Sequence, residues 1–214
     1  MNSIVVSNKN TLSFIDYPSK NKSALTYFLY GCGFHCPGCQ NKELQDRITY
    51  NRDLATEFTD PGVFVDYLLD NDDKQNRGNR LVVFQGGDPL FKENRDFIRD
   101  TIKISASRFT GLRFCIYTGF QIEIIQQLFS PELLGINTED KQLLYYNLDK
   151  IMSSLQFVKC GEYDKTLPNP NKIGKHDGKI YFATTNQKLY KYNPANLGYE
   201  LISENGVADL ALLD

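Results

Sequence analysis

The chain has no apolar run approaching the roughly 20 residues that cross a bilayer, and its opening, MNSIVVSNKN, lacks the sustained apolar stretch of a secretory signal. We therefore expect a cytoplasmic protein with no membrane partner. An excess of charge is missing too: 24 Lys and Arg face 26 Asp and Glu, a net charge of −2, which leaves no electrostatic footprint for nucleic acid. No internal repeat is visible. Cysteines number five, an odd count with three of them between positions 32 and 39, which argues against a disulfide framework and for a reducing compartment and a metal site. What is present suffices for one substantial core. With 214 residues, 41% hydrophobic and 13% aromatic, the chain is expected to form a single domain with appendages.

The three neighbouring cysteines lie in Tyr30-Gly31-Cys32-Gly33-Phe34-His35-Cys36-Pro37-Gly38-Cys39-Gln40-Asn41, at C-x3-C-x2-C spacing directly after the apolar stretch Ala24 to Tyr30. Cysteine thiolates are the usual ligands of cubane iron-sulfur clusters, and three ligands on four irons leave one coordination position open for chemistry. Gly31, Gly33 and Gly38 suit a chain wound tightly round such a group, where positive φ and close approach of backbone to sulfur are needed. A structural zinc site of Cys32, Cys36, Cys39 and His35 competes with this reading. His35 is adjacent to Cys36, however, and no second ligand pair follows, so the spacing is poor for zinc. An open cluster is lost to oxygen, which points to an anaerobic setting. Cys115 falls in the strand-like Leu112 to Tyr117 and reads as a small core hydrophobe.

Short apolar runs alternate with helical patterns, the rhythm of βα units around a mainly parallel sheet in an α/β fold. Strands are expected at Ala24 to Tyr30, Leu81 to Phe84, Leu112 to Tyr117 and Leu155 to Lys159. Helices are expected at Pro61 to Leu69, opened by Asp60 and Pro61, near Asn94 to Ser107, at Ile122 to Phe129 and at Lys141 to Ser153. Asp70 to Arg80 and Ser130 to Asp140 read as solvated loops. Each strand is followed at once by a residue suited to a site: Cys32, Gly86, Thr118 and Gly161. In parallel α/β sheets the carboxyl ends of the strands share one face, where active sites form. A lysine-rich stretch from Tyr163 to Lys191 precedes an acidic end, an asymmetry that suits ordinary solvated surface or the guidance of a partner.

The cysteine pattern resembles that of the radical S-adenosylmethionine superfamily. The resemblance implies a partial (β/α)6 barrel, with residues 1–192 as the working domain and 193–214 as a C-terminal extension. In that superfamily the methionine moiety of S-adenosylmethionine chelates the open iron, and an electron from the cluster cleaves the sulfonium to give a 5′-deoxyadenosyl radical. Gln85-Gly86-Gly87-Asp88-Pro89-Leu90 resembles the superfamily's Gly-Gly-Glu turn, whose backbone binds the amino group of the cofactor; alone it is an ordinary turn signal. Glycines there would leave main-chain carbonyls open to a ligand. Asp88 stands for the commoner Glu, with a shorter reach. Phe14-Ile15-Asp16-Tyr17-Pro18 resembles the lead-in of glycyl-radical-enzyme activases.

Many members of the superfamily place an aromatic where this chain has Gly38. Cys-Pro-Gly-Cys followed by Gln40-Asn41 is instead similar to the activating proteins of anaerobic (class III) ribonucleoside-triphosphate reductases. Tyr117-Thr118-Gly119-Phe120 and Thr185-Asn186-Gln187-Lys188-Leu189-Tyr190 resemble further segments of that family. Lys159-Cys160-Gly161-Glu162-Tyr163 resembles its Asp-Gly-x-Tyr segment with Cys160 in place of Asp. The resemblance implies a 4Fe-4S cluster on Cys32, Cys36 and Cys39, and S-adenosylmethionine contacts from Gly38, Gly86, Gly87, Asp88, Thr118 and Lys159. It also implies a flavodoxin-type electron donor, and hydrogen abstraction from a glycine Cα in the reductase large subunit. Lys159 has the alternative of merely closing an edge strand. Other targets in the same chemistry are pyruvate formate-lyase or a small molecule, as in the 7-carboxy-7-deazaguanine synthases; a zinc or iron-sulfur structural module without catalysis is the reading of another class. Residues 193–214 lie outside the resemblance and read as a docking tail or an added helix.

Overall fold

Side-chain alternation along the central strands sets the architecture. Between Leu81 and Phe84, Val82 and Phe84 enter one core while Leu81 and Val83 enter another, all of them buried. A sheet buried on both faces needs cover on both. The computed structural model describes residues 3–20, 22–48 and 50–213. Met1, Asn2 and Asp214, at the outer ends of the expected regions, lie outside the described residues.

The chain opens with β1 (Ile4–Ser7), β2 (Thr11–Ser13), β3 (Ala24–Leu29) and β4 (Ala55–Phe58). Alternating units follow: α1 (Pro61–Gln75), β5 (Leu81–Gly86), α2 (Arg95–Ser107), β6 (Arg113–Tyr117), α3 (Ile122–Leu128), α4 (Pro131–Leu134), α5 (Lys141–Met152) and β7 (Leu155–Cys160). The remainder is all strand: β8 (Gly174–His176), β9 (Lys179–Tyr181), β10 (Lys188–Asn193), β11 (Gly198–Leu201), β12 (Ser203–Glu204) and β13 (Val207–Asp209). Among the described residues the main sheet has nine strands in the order β11-β10-β7-β6-β5-β3-β1-β4, with β2 also on β3. Its centre, β3, β5, β6 and β7, is parallel, and its flanks are antiparallel. A second sheet, β12-β13-β9-β8, is antiparallel throughout.

The larger core lies between the main sheet and the helices, where Phe64 and Leu68 of α1, Phe97 and Ile98 of α2, and Ile122 and Ile125 of α3 meet Tyr27, Phe84 and Phe114. All the crossover helices therefore cover one face. The other face carries a second core in which Val83, Cys115 and Phe157 pack with Tyr17, Ile180, Phe182, Leu189, Ala208, Leu210 and Leu213.

The four expected parallel strands are found within a residue or two of their predicted ends. Asp60 caps α1 as expected, accepting from Gly62 and Val63 N–H at 2.6 and 3.2 Å with Pro61 at the first turn. Two loop readings need correction. The acidic run after Leu69 continues α1 to Gln75, because Asp72 is turned inward, accepting from Asn76 Nδ2 at 2.7 Å and Arg80 N–H at 3.0 Å. Ser130 and Pro131 open the short α4, which Gly135 ends in the left-handed region at φ 66°. The 192/193 boundary falls inside β10, and the segment after it holds strands that complete both sheets, with the short helical turn Leu210–Leu212 at its end. Removing that segment strips Ala208, Leu210 and Leu213 from the second core, so its loss is a stability defect before it is anything else. Correspondingly, Ile180→Ala, which leaves a hole beneath β13, is expected to cost about 2–4 kcal/mol in urea unfolding; a loss under about 0.5 kcal/mol would mean the second core contributes little.

Candidate metal centre

Cys32, Cys36 and Cys39 occupy the loop that leaves β3, at the carboxyl end of the parallel strands, and all three are partly exposed. The loop is fixed at its root. Gly31 N–H donates to Leu44 O at 2.8 Å and Cys32 N–H to Gln45 O at 3.0 Å, while Cys39 N–H donates to Cys36 O at 3.1 Å within the loop. Gly31 and Gly38 have φ of 100° and 83°, conformations an L side chain rarely adopts. Gly33 does not share that conformation; it makes room for Phe91, whose ring would lie 3.3 Å from a Cβ there and 2.8 Å from one at Gly31. On the other side the Phe34 ring covers Gly119, where a Cβ would come within 2.6 Å, and meets Phe120 edge-on at 4.8 Å between centroids. Two rings thus hold a loop that has little regular structure of its own.

The thiols are not drawn together. Among the described residues no three His, Cys, Asp or Glu side chains form a ready-made metal site. The Cys36 thiol donates to Glu162 Oε1 at 3.5 Å, and burial together with this carboxylate pushes it up to about 11. Burial also raises the Cys32 thiol. His35, at φ 50°, pairs its Nδ1 with Gln45 Oε1 at 3.4 Å. The donor set fits an iron-sulfur cluster held by three thiolates: three accessible sulfurs on one glycine-bearing loop. Were metal to bind here, the thiols would lose their protons and the Cys36–Glu162 hydrogen bond would give way.

The Gly-Gly turn after β5 is bound to this loop through its backbone. Gly87 N–H donates to Leu29 O and Asp88 N–H to Gly31 O, both at 2.7 Å. A Cβ on Gly87 would fall 2.5 Å from Gly31 O and 2.8 Å from Leu29 O, and one on Gly86 would lie 2.8 Å from Leu29 N. The space the glycines free is therefore filled by the chain's own β3 backbone. Asn94, fully buried, adds donations from Nδ2 to Tyr30 O and Asp88 O, each at 2.9 Å. Sequence reasoning passed over this asparagine, whose only signal was a polar residue at the start of an amphipathic helix.

Asp88 points inward. Its carboxylate accepts from Leu90 N–H at 2.7 Å, Gly119 N–H at 2.8 Å and the Thr118 hydroxyl at 2.8 and 3.0 Å, tying the turn after β5 to the turn after β6. Burial pushes its pKa up to about 6 against the opposing pull of those donors. Thr118 is buried in the same contact and also accepts from Phe120 N–H at 3.1 Å. Lys159 lies on the face away from the helices, its ammonium 4.7 Å from the Tyr117 ring centroid and 5.4 Å from that of Phe182, and burial lowers it to about 8. Cys160 enters the helix-side core with its thiol pushed up to about 12 by burial, and Cys115 is fully buried on the other side. Gly38 faces the Tyr163 ring, 3.7 Å from where its Cβ would be.

A family model described as a 4Fe-4S single cluster domain matches residues 23–177, about three-quarters of the chain. The chain belongs to this family. Among curated proteins, it is 27% identical over 163 residues to a protein of Methanocaldococcus jannaschii named provisionally as a glycyl-radical enzyme activating enzyme, covering 74% of this chain and 56% of that one. It is 26% identical over 163 residues to the anaerobic ribonucleoside-triphosphate reductase-activating protein of Enterobacteria phage T4, covering 76% of this chain and 80% of the relative. The match spans little more than half of the Methanocaldococcus protein. No solved structure matches the chain.

The packing of this 4Fe-4S family member sets two expectations. Gly87→Ala should destabilise the metal-free chain by about 2–3 kcal/mol, since backbone on two sides must yield to one methyl group; unchanged urea unfolding would refute the close contact. Asp88 binds its proton more tightly folded than unfolded. Its contribution is thus fully present below the unfolded value near pH 4 and is lost as pH rises through about 6. Wild type should lose stability relative to Asp88→Asn across that window, by up to about 3 kcal/mol. A difference that stays constant from pH 4 to pH 7 would show that the buried carboxyl does not titrate there.

Proposed function

We propose that this chain is the activating enzyme of an anaerobic (class III) ribonucleoside-triphosphate reductase. In this reading it holds a 4Fe-4S cluster on Cys32, Cys36 and Cys39, binds S-adenosylmethionine beside it, takes an electron from a flavodoxin-type donor and generates a glycyl radical on the reductase large subunit. The observation that carries the reading is the joining of the cysteine loop to the turns after β5 and β6 at the carboxyl ends of the parallel strands. The names of both curated relatives support it. When bound, cluster and cofactor supply the electron transfer and the radical; the protein supplies position and exclusion of water.

Within this proposal the backbone around Gly38 and Gly86–Gly87 and the ammonium of Lys159 are the cofactor contacts. Asp88 and Thr118 act one step back, holding the Gly-Gly turn at its angle to the cysteine loop. The sequential order of β3, β5, β6 and β7, with every crossover helix on one face, supports a partial barrel of four parallel strands in place of six. A cytoplasmic location belongs to the same reading, since free thiols and a cluster need a reducing compartment; among the described residues no helix is long and apolar enough to cross a membrane. The general name of the Methanocaldococcus relative favours one alternative, another glycyl-radical enzyme as target.

After anaerobic reconstitution, Cys32→Ala, Cys36→Ala and Cys39→Ala should each lose iron and the visible cluster absorbance, while Cys115→Ala and Cys160→Ala keep both. Normal iron in Cys36→Ala would remove the metal centre. The reduced wild type with S-adenosylmethionine should then raise a glycyl radical doublet in the paramagnetic resonance spectrum of its class III reductase. A doublet on pyruvate formate-lyase instead would move the assignment to the alternative.

A further inference from the structure

At the amino ends of the parallel strands, away from the cysteine loop, lies a cavity of about 680 Å³, within the usual range for a small-molecule site. Leu81 and Arg113, the first residues of β5 and β6, line it, as does Gln156 near the start of β7. A strand of six residues rises about 20 Å, which is the order of the separation from the cysteines. The walls come from both ends of the chain: Tyr17, Pro18 and Lys22 on one side, Tyr192, Pro194 and Leu213 on the other.

Among the described residues of the lining, positive charge is in excess. Lys22, Arg113 and Lys191 face the cavity with one acid, Asp149, and that carboxylate already accepts from the Tyr192 hydroxyl at 2.8 Å. Lys191 donates to Leu212 O at 3.1 Å. Among the described residues no carboxylate forms an ion pair with Lys22 or Arg113. Between the cations stand buried aromatic surfaces. Tyr17 meets Phe157 edge-on at 5.6 Å, with its hydroxyl held by Gln156 Oε1 at 2.6 Å.

We propose that this cavity is a second ligand site, separate from the metal centre, that binds a phosphorylated small molecule of nucleotide size. Several cations round one concavity suit a multiply charged anion better than a single carboxylate, and the arginine fork matches phosphate oxygens. A ligand bound there bridges the N-terminal and C-terminal segments.

The test is calorimetric titration of the reconstituted full chain, with S-adenosylmethionine saturating so that its own site is filled. ATP should bind with Kd below about 1 mM, tripolyphosphate more weakly, and adenosine not at all. The double variant Lys22→Gln, Arg113→Gln should weaken ATP at least tenfold while iron content and melting temperature stay at wild-type values, since both side chains are exposed. ATP should also raise the melting temperature of wild type but not of the double variant. Absence of ATP binding at about 1 mM, equal binding of adenosine, or undiminished binding by the double variant would each overturn the proposal. None of these outcomes bears on the metal centre, which iron content reports separately.

Discussion

Everything at the carboxyl end of the sheet depends on two short backbone hydrogen bonds, Gly87 N–H to Leu29 O and Asp88 N–H to Gly31 O. They carry the β3–β5 pairing past the end of the strands and into the loops. The same few residues then branch: Asn94 grips Tyr30 O, and the Asp88 carboxylate grips Thr118 and Gly119. A buried acceptor with four donor contacts is costly to disturb, because any lost partner leaves a polar group unsatisfied in the core. The cysteine loop therefore inherits its position from the sheet, and needs no metal to locate its root.

The parallel centre was legible because each of its strands is a short apolar run closed by a glycine or threonine turn. Asp60-Pro61 is a local signal and worked as one. The antiparallel strands were not legible. Most are runs of two to four residues, such as Thr11–Ser13, too brief for periodicity to speak. Asp72 shows the other difficulty: an acidic run looks solvated until one of its carboxylates finds buried donors.

At the site, residue types were readable and their tasks only partly so. Glycine at 86 and 87 announces that a Cβ cannot be accommodated, but not whether ligand or backbone fills the space; here the backbone of Leu29 and Gly31 does. Asp88 and Thr118 are adjacent to the expected cofactor segment and turn out to bond each other, a pairing across 30 positions that no local pattern encodes. Glu162 comes to Cys36 across 126 positions in the same way. Phe34 and Phe91 carried no motif at all, yet their rings set the path of the loop.

The two cores differ in when they can form. The helix-side core draws almost wholly on residues before Cys160, whereas the opposite one needs Ile180, Phe182, Leu189 and the stretch from Ala208 to Leu213. During synthesis, which proceeds from the N-terminus, the first core can close on a nascent chain while Val83, Cys115 and Phe157 lack the cover that Ala208, Leu210 and Leu213 provide. A nascent chain halted before Ala208 would carry its cysteine motif complete and one face of its sheet partly bare, a species suited to aggregation and to capture by chaperones.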